Sequence, residues 1–241
     1  MEDVFAIQDE ISQAIVNTLK VKLLSEKQRK IPKRHFDNLE AHDFYWKGRF
    51  YLDRLTEEDI WKSVNFFEKA IEVDSGFAMA HAGLADAYVN LTRPMIEAKP
   101  PKELLQKAKA AAEKALKLDP DLAEAHAALA PVKLRLNFDW SGAEQEFRKA
   151  IDINPGYSYA YQGYGYLMGY KGDHEKALSY LARARELNPL SLIVNVMVGM
   201  QFFFNVRQYD SAIEYFQNLT EMNPKFWVPY FVMAVSFTKK G

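Results

Sequence analysis

The chain has 241 residues, of which 49% are hydrophobic and 26% charged, a balance typical of a soluble globular or repeat protein. It contains no cysteine, which excludes disulfide scaffolds, thiolate metal sites and cysteine nucleophiles. Its 31 basic and 32 acidic residues give a net charge of −1, without the basic excess of a dedicated nucleic-acid-binding protein.

The first 25 residues have the periodicity of one amphipathic helix. Apolar residues recur there at steps of three and four: Val4, Ile7, Ile11, Ile15, Leu19 and Leu23. The acidic start and the lack of a continuous apolar stretch exclude a signal peptide. A basic run follows, made of Lys27, Arg29, Lys30, Lys33 and Arg34. We interpret it as a solvated linker, with binding of phosphate or a membrane surface as the alternative. Helix and linker together are assigned to residues 1–35.

The most membrane-like segment runs from Leu190 to Val206. It carries Ser191, Asn195, Gln201 and Asn205, and it is shorter than the roughly 20 residues that a spanning helix needs. We therefore predict no membrane span and a cytoplasmic location.

A pattern with a period of about 34 residues fills the rest of the chain, residues 36–241. Prolines that end each unit recur at 120, 155, 189 and 224, with a degenerate earlier copy at Ser75. Twelve residues before each endpoint lies a small residue: Ser63, Ala108, Ala143, Ala177 and Ala212. A bulkier residue follows four positions later in most copies: Phe67, Phe147, Leu181 and Phe216, with Ala112 as the exception. First helices are predicted to start at Ala78, Ala123, Ser158, Leu192 and Trp227.

This pattern resembles the tetratricopeptide repeat (TPR), a unit of about 34 residues that folds as helix–turn–helix. The resemblance implies an all-α fold: a right-handed superhelical solenoid of helix pairs, here with an extra N-terminal amphipathic helix. Five full repeats are expected at about 41–77, 78–122, 123–157, 158–191 and 192–226, with a half repeat at 227–241. The eighth residue of each first helix must be small in this family because the second helix crosses close to it.

Two irregularities interrupt the repeats. Residues 91–107 contain an insertion, interpreted as a tolerated surface loop or as a loop that touches a partner, and Pro101 is expected to start the next helix. Pro131 lies nine residues into a predicted helix, where we expect a bend or a shortening.

The segment from Asp3 to Ile11 resembles one that precedes the repeats in a group of bacterial signalling proteins, as do Phe138-Asp139-Trp140 and the stretch 83–88. In that group, TPR repeats follow a class III adenylate cyclase, a kinase or a DNA-binding domain. The resemblance implies that this chain is the repeat part of a larger protein, and the end at Gly241, after a lone first helix, agrees with that expectation.

No arrangement typical of an active site is found in the sequence. His81 and His126 share the fourth position of neighbouring first helices, and we interpret them as packing residues, with a metal pair as the alternative. There is no phosphate-binding glycine loop and no nucleophile motif. We predict a protein that is not an enzyme and has no cofactor and no metal.

The family's groove positions fall on residues whose polarity changes along the chain. They are mixed in the early units, with His42, Tyr45, Arg49, Asp53, Asp86, Asn90, Glu124, Pro131, Arg135 and Gln162 among them, and mostly apolar later. The family's chaperone clamp needs Lys and Asn at two positions where Tyr45 and Arg49, or Ala82 and Asp86, stand here, so that role is disfavoured.

The sequence therefore predicts a scaffold that binds a protein or peptide segment in the concave groove. The predicted anchors are Tyr159, Tyr166, Tyr170, Val196, Met200, Phe203 and Phe231. One alternative is self-association, as a homodimer or assembly module that regulates an attached cyclase, kinase or DNA-binding domain. Another is that further repeats, or the curvature of this unit itself, bury the apolar groove positions. A nucleic-acid partner is not expected.

Overall fold

The computed structural model describes residues 38–93, 101–200, 203, 208–222 and 227–240, which all belong to one compact unit. The predicted N-terminal helix and the basic run lie outside the described residues. Regular structure in the described part is helical throughout, in eleven α-helices: α1 (Leu39–Leu52), α2 (Glu57–Val73), α3 (Ala78–Leu91), α4 (Pro101–Leu118), α5 (Ala123–Asn137), α6 (Trp140–Ile153), α7 (Ser158–Tyr170), α8 (His174–Leu187), α9 (Leu192–Met200), α10 (Tyr209–Met222) and α11 (Trp227–Lys240).

Consecutive helices pack as pairs, with α1 against α2, α3 against α4, and so on to α9 against α10, and α11 follows the last pair. First helices of successive pairs also touch, which gives an inner layer made of α1, α3, α5, α7 and α9. Helices α3, α5, α7, α9 and α11 begin at the predicted residues, and α4 begins at Pro101. The prediction of an all-α stack of helix pairs is confirmed.

The repeated small and bulky positions lie where the helices cross. The five small residues at the first of these positions are all 0% exposed, as are Phe67, Leu181 and Phe216. Phe67 shows why small residues are needed opposite. A Cβ added at Gly48, in the same helix pair, would lie 2.7 Å from the Phe67 ring, and one at Gly83, in the next pair, 2.5 Å. The predicted role of the eighth position is confirmed at Gly48, and Gly83 does the same at the sixth.

Turns between pairs are closed by one recurring arrangement. The side-chain Oδ1 of Asp74, Asp119 and Asn154 accepts a hydrogen bond of 2.9–3.1 Å from the backbone N–H two residues later. The backbone N–H of each of these residues donates to an alanine carbonyl four positions earlier. Such Asx turns end one helix and direct the chain into the next.

In several first helices, the side chain of the fourth residue forms a hydrogen bond with the turn that precedes the helix. His81 Nε2 lies 3.1 Å from the Ser75 carbonyl and His126 Nε2 lies 3.0 Å from the Pro120 carbonyl. The amide of Asn195 donates to the Pro189 carbonyl at 2.8 Å in the same way. These contacts give His81 and His126 a structural role at the turns.

Pro131 does not shorten its helix, so of the two expected outcomes only the bend stays a prediction. Helix α5 continues six residues past it, to Asn137. Proline removes one N–H donor, which leaves the carbonyl of Ala127 without its usual helical partner. The packing of α5 against both neighbouring first helices and against α6 keeps the rest of the helix in place.

No helix in the described part of the chain is long and apolar enough to cross a membrane.

Candidate functional site: a cavity on the inner layer

Polar contacts join the first helix pair to helices further along the stack. Arg49 of α1 donates to Asp86 of α3 at 3.2 Å, and the two side chains are 14% and 20% exposed. The guanidinium of Arg49 also lies over the ring of Tyr159 in α7, 4.8 Å from its centroid. The Tyr159 hydroxyl donates to the carboxylate of Asp53, which follows α1. These contacts connect the first pair directly to the fourth.

An apolar contact supports this connection. Leu55, in the turn between α1 and α2, belongs to a buried cluster with Leu181, Ile193 and Met197 from the fourth and fifth pairs. Its φ of 58° lies in the left-handed region, which a branched side chain rarely adopts. Burial of this leucine offsets the backbone strain. We call the contacts of Arg49, Asp53 and Leu55 with the later pairs the bridge.

Beside the bridge lies a cavity, which we call the inner cavity. The space inside it that a water-sized molecule can occupy is about 70 Å³, and the cavity opens to solvent. Its lining comes mainly from α3, α5 and α7, and its polar and aromatic members are Asp86, Arg93, Arg135, Phe147, Tyr157, Tyr159, Gln162 and Tyr166. Pro131 and Met197 complete part of the apolar wall.

Burial sets the electrostatics of the cavity. It raises the pKa of Asp86, and the charge of Arg49 offsets this only in part. Burial, together with the neighbouring charge of Arg135, lowers the pKa of Arg93 to about 10. Burial also lowers the pKa of Arg135 and raises that of Tyr166 to about 12. Both arginines keep their charge at neutral pH, so the cavity holds two close cationic groups.

Three of the predicted anchors lie at this cavity or at its edge. Tyr159 and Tyr166 line it, although Tyr159 also takes part in the bridge. Tyr170 is 59% exposed, and its hydroxyl lies 2.5 Å from that of Tyr166. Trp140, 40% exposed, meets Tyr170 edge to face at a centroid distance of 6.4 Å. An accessible aromatic edge, made of Tyr166, Tyr170 and Trp140, therefore borders the cavity.

The other four anchors lie elsewhere. Val196 and Phe203 are 0% and 8% exposed and belong to a buried group, the C-terminal cluster, and Met200 packs against it. The cluster consists of Val196, Phe203, Ala212, Phe216, Leu219, Val228 and Val232. Phe231 is 57% exposed on α11, next to Trp227 at 6.0 Å. The seven predicted residues thus do not form one surface, and their part in binding stays a prediction.

Sequence reasoning placed Asp86, Arg135 and Gln162 on the inner side but gave them no role, and it missed Arg93. Arg93 follows the last residue of α3 by two positions, beyond the repeat positions that the pattern covers. A usable signal was the presence of two arginines at or just after the ends of successive first helices.

Comparison with known proteins shows similarity in fold more than in sequence. No family model matches the chain. A segment of 85 residues, 35% of this chain, is 32% identical to a protein of Rhizobium meliloti (strain 1021) named "Putative adenylate cyclase 3". The matched segment spans only 14% of that relative's length.

Solved structures with the same arrangement of helices are more distant in sequence. A thermophilic TPR protein of Thermus thermophilus superposes with a TM-score of 0.64 at 15% identity, over 82% of this chain and 99% of that one. The human IFIT1 dimer with m7Gppp-AAAA gives a TM-score of 0.61 at 22% identity, over 76% of this chain and 42% of that one. The helix pairs, their repeat positions and these neighbours together show that the chain has the TPR fold.

Proposed function

We propose that this chain is a non-enzymatic scaffold that binds a protein segment at the inner layer of its helix pairs. The observation that carries the proposal is the aromatic edge of Tyr166, Tyr170 and Trp140. Tyr170 and Trp140 are at least 40% exposed, and Tyr166 lines the adjacent cavity, which contains charged groups. Aromatic side chains that combine apolar area with a polar tip are the residues most enriched at protein interfaces.

The bridge changes where a segment would lie. Because Asp53 and Leu55 already occupy the inner face next to Tyr159, a partner chain has room at the side of Tyr166 and Tyr170. Tyr159 then acts as part of the scaffold and Tyr170 as the contact residue. Val196 and Phe203 stabilise the C-terminal region and contribute to binding only indirectly.

A larger signalling protein is the context we propose, since the curated relative that shares this segment is named as an adenylate cyclase. In that setting the helix pairs would recruit a partner or position the attached domain. The IFIT1 neighbour carries m7Gppp-AAAA, but at 22% identity that likeness concerns the fold alone, and the net charge of −1 does not favour a nucleic-acid partner here.

A peptide selection tests the proposal. A phage-displayed random peptide library is panned on the chain, and selected peptides are measured against the variant Tyr166→Ala/Tyr170→Ala. We expect the double variant to bind at least tenfold more weakly, with unchanged helicity. Leu190→Ala, which removes an apolar side chain that is 80% exposed, is the matched control and should bind normally. Failure to select any peptide, or equal binding by the double variant, would contradict the proposal.

Self-association is a second candidate, favoured by a separate observation. Helix α11 presents four exposed aromatic side chains: Trp227, Tyr230, Phe231 and Phe237, each 48–57% exposed. Exposed apolar patches of this kind mark interfaces. Light scattering over a wide concentration range should then show a dimer that the change Trp227→Ala/Phe231→Ala dissociates. A monomer at all concentrations would remove this candidate.

A further inference from the structure

The inner cavity is lined by more cationic than anionic groups, although the charge of Asp86 acts on Arg93. Asp86 is the acidic residue in the described lining, and it is engaged by Arg49 at 3.2 Å. Neither Arg93 nor Arg135 forms an ion pair with any carboxylate that the structure describes. Asp53, which lies nearby, accepts from Tyr159 and does not line the cavity. The lining itself therefore has two arginines and one carboxylate, with Arg49, Asp53 and Glu124 beside it.

Both arginines keep donors available. Arg93 donates from Nε to Asn90 at 2.6 Å, which fixes the side chain and leaves its two terminal nitrogens without a described acceptor. Arg135 donates from Nη1 to the Thr92 hydroxyl at 2.8 Å and, more weakly, to the Val89 carbonyl at 3.4 Å. Its Nε and Nη2 have no acceptor among the described residues. Each guanidinium is thus held by the contacts given above and keeps N–H donors without an acceptor in the described part of the chain.

A third polar group in the cavity lacks a partner. Gln162 is 5% exposed, and its buried Oε1 has no hydrogen-bond partner in the described part of the protein. A buried polar atom without a partner costs stability unless a ligand or water completes it. Rotation of the amide by 180° places N–H donors at the same position, and the two orientations are hard to distinguish. The amide of Gln162, which lies on a different helix from the two arginines, can therefore donate a hydrogen bond to an oxygen-rich ligand.

We propose that the inner cavity binds a phosphate group, held by Arg93, Arg135 and the amide of Gln162. Phosphate fits better than carboxylate because its three terminal oxygens can serve two guanidinium groups and an amide, whereas a carboxylate is satisfied by one guanidinium fork. A phosphate monoester carries about −1.5 to −2 charges at neutral pH, which matches the two arginines. The bridge closes one side of the cavity. The ligand is therefore a small molecule, either free phosphate or a small phosphate ester. The phosphate site and the aromatic edge proposed above share the lining residue Tyr166, but the three residues that hold phosphate are not part of that edge.

Calorimetric titration of the full chain tests this site, with inorganic phosphate, glycerol 3-phosphate and succinate as probes at constant ionic strength. We expect one saturable site for phosphate or its ester, and at least tenfold weaker binding in Arg93→Gln. Arg183→Gln is the matched control, since Arg183 is half exposed, forms its ion pair with Glu186 and does not line the cavity, and it should bind as the unchanged protein does. A stronger signal from the ester identifies organic phosphates as the source, and a stronger signal from phosphate identifies the free ion.

Three results would overturn the proposal: no saturable heat with either phosphate compound, equal binding by Arg93→Gln, or succinate binding as tightly as phosphate. Arg135→Gln also removes the contact with Thr92, so the second variant is Arg135→Lys, which keeps the charge and loses the planar fork. It should bind more weakly than the unchanged protein and retain a measurable affinity, with a circular dichroism spectrum that shows intact helices.

Discussion

The inner cavity and the C-terminal cluster lie on successive helices of one stack but are built from opposite chemistry. The cavity combines arginines, a carboxylate and tyrosines around open space, while the cluster buries Val196, Phe203 and Phe216 almost completely. From the sequence, the apolar end is the more convincing binding groove. In the structure the side chains of the C-terminal cluster are packed against one another, whereas the inner cavity keeps polar groups without a described hydrogen-bond partner. Apolar character alone thus does not locate the accessible part of this inner layer.

The largest expected effect separates packing from binding in the C-terminal cluster. Phe216 is 0% exposed, and a Cβ at Gly199 would lie 2.7 Å from its ring. Phe216→Ala should therefore lower the free energy of unfolding by about 3–5 kcal/mol, measured by urea denaturation. Phe237→Ala, at a side chain that is 56% exposed, is the control and should change it by less than about 0.5 kcal/mol. Similar values for both variants would show that the cluster is not a packed core.

A smaller effect is expected when the bridge loses its central residue. Arg49→Gln removes both the ion pair with Asp86 and the cation–π contact with Tyr159. We expect a loss of about 1–3 kcal/mol in the free energy of unfolding. Lys47→Gln removes a solvent-exposed pair with Asp43 on the same helix and should cost only a few tenths of a kcal/mol. If the two variants are equally stable, the bridge does not stabilise the fold.

Tyr159→Phe tests a single bond of the bridge. The change removes the hydroxyl that donates to Asp53 and keeps the ring under Arg49. The expected loss is about 1 kcal/mol, again by urea denaturation. Tyr170→Phe, which removes an exposed hydroxyl contact with Tyr166, should have a smaller effect. If Tyr170→Phe lowered the free energy of unfolding more than Tyr159→Phe, the more important contact would lie at the aromatic edge.

The smallest effect is on the pH dependence of stability, and it contrasts the carboxyl groups of Asp86 and Glu146. Burial raises the pKa of Asp86. Burial also acts to raise the pKa of Glu146, but hydrogen bonds from His126 at 2.5 Å and Lys133 at 2.6 Å outweigh it and lower that pKa below 4.5. A lowered pKa contributes stability above about pH 4.5, and this contribution is lost as the pH falls through the pKa of the folded state. Glu146→Gln should flatten the acid side of the stability profile, and an unchanged slope would contradict this assignment.

Local signals explain why the helices were predictable. Proline after four of the five second helices, small residues at the crossings and the Asx turns at Asp74, Asp119 and Asn154 act within a few residues of one another. The bridge could not be predicted in this way. It depends on the left-handed backbone of Leu55 and on the rise and twist accumulated over four helix pairs.

The site was predictable only in part, for the same reason. Periodicity assigned Tyr166 and Arg135 to the inner side, and both line the cavity. It also assigned Val196 there, where the following helices cover it completely. The neighbouring helix pairs and the bridge decide which inner positions stay accessible. The sequence of a single repeat contains no information about either.

The bridge is tested most directly by a distance measurement between its two ends. Because the natural chain has no cysteine, two introduced cysteines at the exposed positions Glu57 and Glu175 can be spin-labelled cleanly and measured by pulsed electron paramagnetic resonance. We predict one narrow distance distribution, which broadens when Leu55→Gly and Tyr159→Phe are added. A broad distribution in the otherwise unchanged chain would show that the first and fourth helix pairs are not held together.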